Sequence, residues 1–145
     1  AMTIRRIEGG ILGNITDINT SMTPFEAGLG QFVDLGKGDF IGREALLTKD
    51  KKPLLFGLTC ETETPTSGSI IISNGNNVGY ITAGVPSPTL GLGIGYARFL
   101  EPKNWPGSLV SICLPDKTVH TAKVVDLPFF DPEKKIVRGV DISVP

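Results

Sequence analysis

Beyond Pro53 the apolar positions gather into runs of strand length, each bounded by turn-forming residues. The runs cover residues 54–60, 69–73, 77–85, 92–99, 108–114 and 118–127. Asn74-Gly75-Asn76-Asn77 and Pro115-Asp116-Lys117 are hairpin-type breaks between them. In the last run Val119, Thr121, Lys123 and Val125 alternate with His120, Ala122, Val124 and Asp126, so neither face is wholly apolar. Six short, closely spaced strands predict a small closed barrel or a Greek-key sandwich.

Residues 4–53 are patterned differently. Thr23-Pro24-Phe25-Glu26 is a capping box with proline at the first helical position, and Gly28 and Gly30 must end that helix almost at once. Residues 42–49 hold good helix formers, with Asp39 as the expected N-cap and the charged turn Lys49-Asp50-Lys51-Lys52-Pro53 as the stop. The opening 53 residues carry too few apolar positions to bury a core alone, so they are expected to pack on the barrel or to be one end of a larger domain whose start is missing. Gly91-Leu92-Gly93-Ile94-Gly95 has the look of a dinucleotide loop, but Tyr96-Ala97-Arg98-Phe99 continues it as strand, and close backbone packing is the expectation.

Composition strengthens the β reading, because 29 of the 145 residues are glycine or proline. Hydrophobic residues make up 40%, enough for a packed core. The net charge is -1, and basic and acidic residues are balanced in both parts of the chain, which argues against nucleic acid or an anionic membrane surface as partner. No apolar run approaches the roughly 18 residues of a membrane helix, and no signal peptide is visible. Cys60 and Cys113 are too few for a disulfide scaffold. Each reads as a small buried free thiol, a disulfide being the other arrangement.

The inventory of reactive groups is thin. One histidine and two distant cysteines cannot make a zinc site, and His120 reads as a partly exposed strand residue rather than a triad base. The polar groups that stand out are Glu8, Asp17, Lys37, Asp39 and the late cluster Asp131, Glu133, Lys134, Lys135 and Arg138. Glu8 precedes Gly9-Gly10, where backbone can approach closely and a ligand can reach the carboxylate. A carboxylate suits a ring edge presenting two N–H donors, such as a 2-amino-pyrimidinone. A solvated glutamate at a strand end is the alternative.

Three longer stretches carry a resemblance. Arg6-Ile7-Glu8-Gly9-Gly10-Ile11, followed by Asp17-Ile18 and Thr23-Pro24-Phe25-Glu26-Ala27-Gly28-Leu29, resembles the glycine-cleavage T-protein (aminomethyltransferase) family. So does Lys37-Gly38-Asp39-Phe40-Ile41-Gly42-Arg43-Glu44-Ala45-Leu46. The stretch Thr82-Ala83-Gly84-Val85-Pro86-Ser87-Pro88-Thr89-Leu90-Gly91, with Ile94-Gly95-Tyr96-Ala97 after it, looks like the hallmark of that family's C-terminal barrel. The tail Leu127-Pro128-Phe129-Phe130-Asp131-Pro132-Glu133-Lys134-Lys135 is similar to the folate-binding ends of dimethylglycine and sarcosine dehydrogenases.

The resemblance implies a mainly β (α+β) chain: residues 3–53 as the end of a folate-binding region, and residues 54–145 as a Greek-key antiparallel β-barrel. It implies tetrahydrofolate as the bound one-carbon acceptor, with Glu8 gripping the pterin ring and Lys37, Lys134 and Lys135 as further folate contacts. The family's catalytic aspartate lies upstream of the Arg-x-Glu motif, so the chain is expected to be the C-terminal part of a larger transferase and inactive alone. A small methylated or aminomethylated donor, a lipoyl carrier protein or a fused flavin oxidase domain are the implied partners, in the cytoplasm or, in a eukaryote, the mitochondrion. The sequence departs from the family in lacking an aromatic residue within Leu12-Gly13-Asn14-Ile15-Thr16 and in having Lys37 where many members carry arginine. A non-enzymatic folate-binding protein of iron–sulfur cluster maturation is the second resemblance, but Asp39 stands where its reactive cysteine would be.

Overall fold

The structure, a computed structural model, describes residues 1–143. Six strands form a closed antiparallel barrel: β1 (Leu55–Cys60), β2 (Ile70–Ser73), β3 (Asn76–Ser87), β4 (Leu92–Phe99), β5 (Leu109–Cys113) and β6 (Val119–Val125). Their order around the barrel is β1-β4-β3-β2-β5-β6, closed by pairing of β6 with β1. β2, β3 and β4 are consecutive neighbours and β1 lies beside β4, which is a Greek-key arrangement. All six expected strands are present, and β3 extends two residues past its expected end to reach Ser87.

Alternation along each strand sorts side chains between the barrel lumen and its outside. Phe56, Leu58 and Cys60 of β1 meet Ile71, Ile81, Ala97, Val110, Ile112, Ala122 and Val124 in one core. Near the Phe99 end of β4 the core is closed by Trp105, whose ring stacks on Phe99 at 4.1 Å between centroids. Toward the other end Pro65, carried by the β1–β2 connection, is fully buried over the glycines of β3 and β4. A methyl group built on Gly84 would run into the Pro65 carbonyl oxygen, and one on Gly93 into that of Glu63. Close packing in a strand is therefore what these glycines do.

In β6 the even residues Ala122 and Val124 turn inward, while Val119, Thr121 and Lys123 face water. His120 is half-buried, with Nδ1 3.0 Å from Thr62 Oγ1 and Nε2 3.1 Å from Thr118 Oγ1. Both cysteines are free, but Cys113 lies outside the core and is only half-buried. In the β5–β6 turn, hydrogen bonds from the Thr118 hydroxyl and amide hold the Asp116 carboxyl below its usual range.

Residues 1–53 differ more from expectation. Helix α1 (Met2–Glu8) forms where the sequence suggested only a strand end. Its support is tertiary: Ile7 is fully buried against Ile94 and Tyr96 on the outer face of β4. Both capping-box bonds are made, Thr23 N to Glu26 Oε2 at 2.7 Å and Glu26 N to Thr23 Oγ1 at 3.2 Å. No helix follows them, only a turn, because Gly28 adopts a left-handed conformation immediately after. Helix α2 (Arg43–Leu47) is preceded by Gly42 at φ 89°, with no side-chain cap. Asp39 is thus not its cap: the left-handed turn at Gly42 starts the helix one turn after Asp39.

The Gly84–Pro65 contact is backbone against backbone and has no flexible end that can yield. Gly84→Ala is expected to destabilise the chain by about 2–3 kcal/mol, read as a lowered denaturant midpoint. Gly36→Ala, whose added methyl would meet only the exposed Asp34 side chain, should move the midpoint little.

Candidate functional site

The N-terminal helix lies across the outer face of β3 and β4, and its last turn brings three chemically distinct side chains to the barrel: Arg6, Ile7 and Glu8. Gly9 and Gly10 then reverse the chain, with Gly10 packed against Pro128. The carbonyl of Glu8 accepts hydrogen bonds from the amides of Phe129 (3.1 Å) and Phe130 (3.2 Å). Residues from the start, the middle and the end of the chain therefore converge on this turn.

Tyr96 organises it from below. Its ring is fully buried, parallel to Phe129 at 6.3 Å, with the Arg6 guanidinium 5.7 Å from its centroid. A buried phenol needs a polar partner. The Tyr96 hydroxyl finds carbonyl oxygens at the end of α1 and in the turn after it: Ile11 at 3.0 Å, with Arg6 and Ile7, which also accept backbone amides, at 3.3 Å. Burial pushes this hydroxyl well above the usual phenol range, so it stays protonated and remains a donor.

Asp17 is buried with both oxygens committed. Oδ2 takes Arg6 Nη1 at 2.6 Å and the Gly13 amide at 2.7 Å, and Oδ1 takes the Thr82 hydroxyl at 2.7 Å. Thr82 points at Asp17 because β3 bulges there: Ile81 pairs with Ala97 and Ala83 with Tyr96, leaving Thr82 as the extra residue. Re-aiming a side chain is a common role of a bulge. The loop that Asp17 anchors places Ile15 at φ 75° and leaves its side chain 82% exposed, a strained backbone with no packing return.

Glu8 is placed otherwise. It is 8% exposed, and Oε1 accepts a 2.5 Å hydrogen bond from the Ser87 hydroxyl at the end of β3. Oε2 has no partner among the described residues, and it is not sealed from solvent. One carboxylate here is engaged at both oxygens and the other at one. The solvated strand-end alternative for Glu8 is overturned on both counts: it ends a helix, and it is buried.

The other sequence candidates lie outside this cluster. Lys37 is exposed, with its ammonium 5.1 Å from the Phe40 ring centroid. Lys134 is exposed at φ 53°, and Lys135 pairs with Glu133 at 2.8 Å. Among the described residues no ion pair joins these lysines to Glu8. Sequence reasoning missed Ser87 and Tyr96 as site residues; the setting of Ser87 between Pro86 and Pro88, which stiffens the strand end, was the available signal. No group of three or more His, Cys, Asp or Glu among the described residues is arranged to hold a metal ion, and no helix there is long and apolar enough to cross a membrane.

Residues 54–131 match the family of the glycine cleavage T-protein C-terminal barrel domain. The chain is 34% identical over 138 residues to an aminomethyltransferase of Streptomyces coelicolor, covering 89% of this chain and 37% of that protein. It is 39% identical over 132 residues to an aminomethyltransferase of Halothermothrix orenii, covering 86% of this chain and 36% of the other. The crystal structure of the glycine cleavage system aminomethyltransferase T from Bartonella henselae superposes with a TM-score of 0.76 at 27% identity, over 89% of this chain and 38% of that one. The chain thus spans little more than a third of the length of these relatives.

Removing the Asp17 carboxylate would strand the Gly13 amide, the Thr82 hydroxyl and Arg6 at once. Asp17→Ala is expected to lower stability by about 2–4 kcal/mol, less than for a wholly buried pair because the Arg6 side chain is 27% exposed. Denaturant melts of wild type and variant measure it.

Proposed function

The chain belongs to the glycine cleavage T-protein C-terminal barrel domain family, and on that premise we propose that it is the folate-holding C-terminal part of a tetrahydrofolate-dependent aminomethyltransferase-like enzyme. The observation that carries this reading is Glu8, more than nine-tenths buried, with one oxygen held by Ser87 and the other uncommitted. Such a carboxylate fits a planar ring with adjacent N–H donors, as the 2-amino group and ring N–H of a pterin present. The site residues present therefore fit the ligand that the family implies.

Tetrahydrofolate supplies the nitrogen that takes up the one-carbon unit. This chain's residues contribute binding and orientation, which by positioning alone accounts for a large share of transfer catalysis. We assign the pterin ring to Glu8 and the ligand's acidic tail to the exposed ammonium groups of Lys37, Lys134 and Lys135. Lys134 is the freest of the three, since Lys37 lies against Phe40 and Lys135 is paired with Glu133. The donor in this reading is an aminomethyl group presented by a lipoyl carrier.

The acid that assists transfer is proposed to come from outside this chain. Among the described residues the buried carboxylates are Glu8 and Asp17. Asp17 is fully buried and accepts three hydrogen bonds across both oxygens, so it is closed off from a reacting atom. The purified chain, given tetrahydrofolate and an aminomethyl donor, is expected to form no methylenetetrahydrofolate above a heat-killed control. Measurable turnover would show that it holds its own catalytic acid.

Binding tests the assignment of Glu8. Glu8→Gln keeps an oxygen for Ser87 but turns an N–H donor toward the ring's donors. Loss of a charge-assisted hydrogen bond of about 1.5–3 kcal/mol should weaken 5-formyltetrahydrofolate binding about tenfold to a hundredfold, with little change in melting temperature. Unchanged affinity with a large fall in melting temperature would make Glu8 a structural residue.

A further inference from the structure

We propose that Ser87 is a positioning residue that decides which oxygen of Glu8 is offered to the ligand. The inference rests on the reading of Glu8 as the ligand-holding carboxylate. Ser87 is 3% exposed and sits at the last position of β3, paired with Leu92 of β4. Its neighbours Pro86 and Pro88 have their φ angles fixed by their rings, so the segment that carries the hydroxyl is stiff.

The direction of the hydroxyl proton is determined by its surroundings. The Leu90 amide donates to Ser87 Oγ at 3.1 Å, which leaves the hydroxyl hydrogen for Glu8 Oε1 at 2.5 Å. An ionised carboxylate can only accept, so the two bonds are consistent in one orientation. A glutamate side chain has three rotatable bonds, and without a fixed partner its carboxylate has no reason to keep one oxygen outward. Glu8 also ends a helix, where the peptide dipoles turn their carbonyl ends toward the carboxylate, and a close donor helps to offset them.

The backbone of Glu8 is held by other groups. Its carbonyl is bonded by the Phe129 and Phe130 amides, and Ile7 beside it is fully buried. Removing the Ser87 hydroxyl therefore frees the carboxylate without freeing the helix end. That separation is what marks a positioning role apart from a structural one.

The test uses the whole chain and four variants: Ser87→Thr, Ser87→Val, Glu8→Gln and the double variant Glu8→Gln/Ser87→Val. Thr and Val have nearly the same shape and differ in the hydroxyl, so packing is held constant between them. Titration with 5-formyltetrahydrofolate should show binding close to wild type for Ser87→Thr and about tenfold weaker for Ser87→Val, a single charge-assisted hydrogen bond lost. The double variant should bind no more weakly than Glu8→Gln alone, because Ser87 acts through the carboxylate. A second readout is independent of ligand: three-bond NMR couplings across the Glu8 side chain should report one rotamer in wild type and Ser87→Thr, and averaging in Ser87→Val. Equal affinities and equal couplings for Thr and Val, with Glu8→Gln still impaired, would overturn the role of Ser87 and leave Glu8 standing. Unchanged binding in Glu8→Gln, or no binding by wild type, would overturn the assignment of Glu8 in this chain. The couplings would then decide whether Ser87 orders its side chain at all.

Discussion

A strand in an antiparallel barrel ordinarily keeps one face in water, and β4 does not. Its inward positions run from Gly93 and Gly95 through Ala97 to Phe99, leaving room for Pro65 at one end and stacking on Trp105 at the other. Its outward positions, Leu92, Ile94 and Tyr96, are as apolar as a core and must also be covered. The cover comes from α1 and from the segment carrying Leu127 and Phe129. Tyr96 then helps set the orientation of that cover, since its dry hydroxyl needs an acceptor and the turn after α1 brings the Ile11 carbonyl to it. The placement of Glu8 follows from this double burial.

Two carboxylates lie within the same stretch of chain, and their surroundings assign them opposite roles. Asp17 is engaged at both oxygens by a guanidinium, an amide and a hydroxyl, and serves as a knot between the loop after α1 and the bulge in β3. Glu8 is held at one oxygen only. A fully satisfied buried network rigidifies, whereas an acceptor left partly free in a near-buried position is suited to an incoming donor. The rigidity of the first steadies the chain segment that carries the second.

The barrel was legible because its determinants are local. Asn74-Gly75 and Pro115-Asp116-Lys117 specify turns, and the β-branched runs between such turns have room for no other element. Helix α1 was not legible: Thr3, Ile4 and Ile7 are indifferent helix formers, and the helix exists because Ile7 is buried against a strand some ninety positions away. The capping box at Thr23 was read correctly as hydrogen bonding and wrongly as a helix, since two bonds at one end cannot outweigh the left-handed turn at Gly28. At the site, the glycines after Glu8 hinted at close approach, and the family resemblance singled the residue out. Its partner Ser87 lies 79 positions away, and no spacing rule connects them.

Composition draws a seam at Pro53, with mixed helix and loop before it and barrel after it. Contacts of α1 with the barrel cross it. Cutting there would strip α1 from Leu55, Ile94 and Tyr96, baring an apolar sheet surface and depriving a buried phenol of its acceptors. Cutting after β6 would remove the Leu127–Phe130 strap from the same surface. The first dozen residues and the strap therefore belong to one cooperative unit with the barrel. In a recombination or domain-shuffling experiment, the exchangeable piece is not the barrel but the barrel together with the helix that precedes it by almost fifty residues.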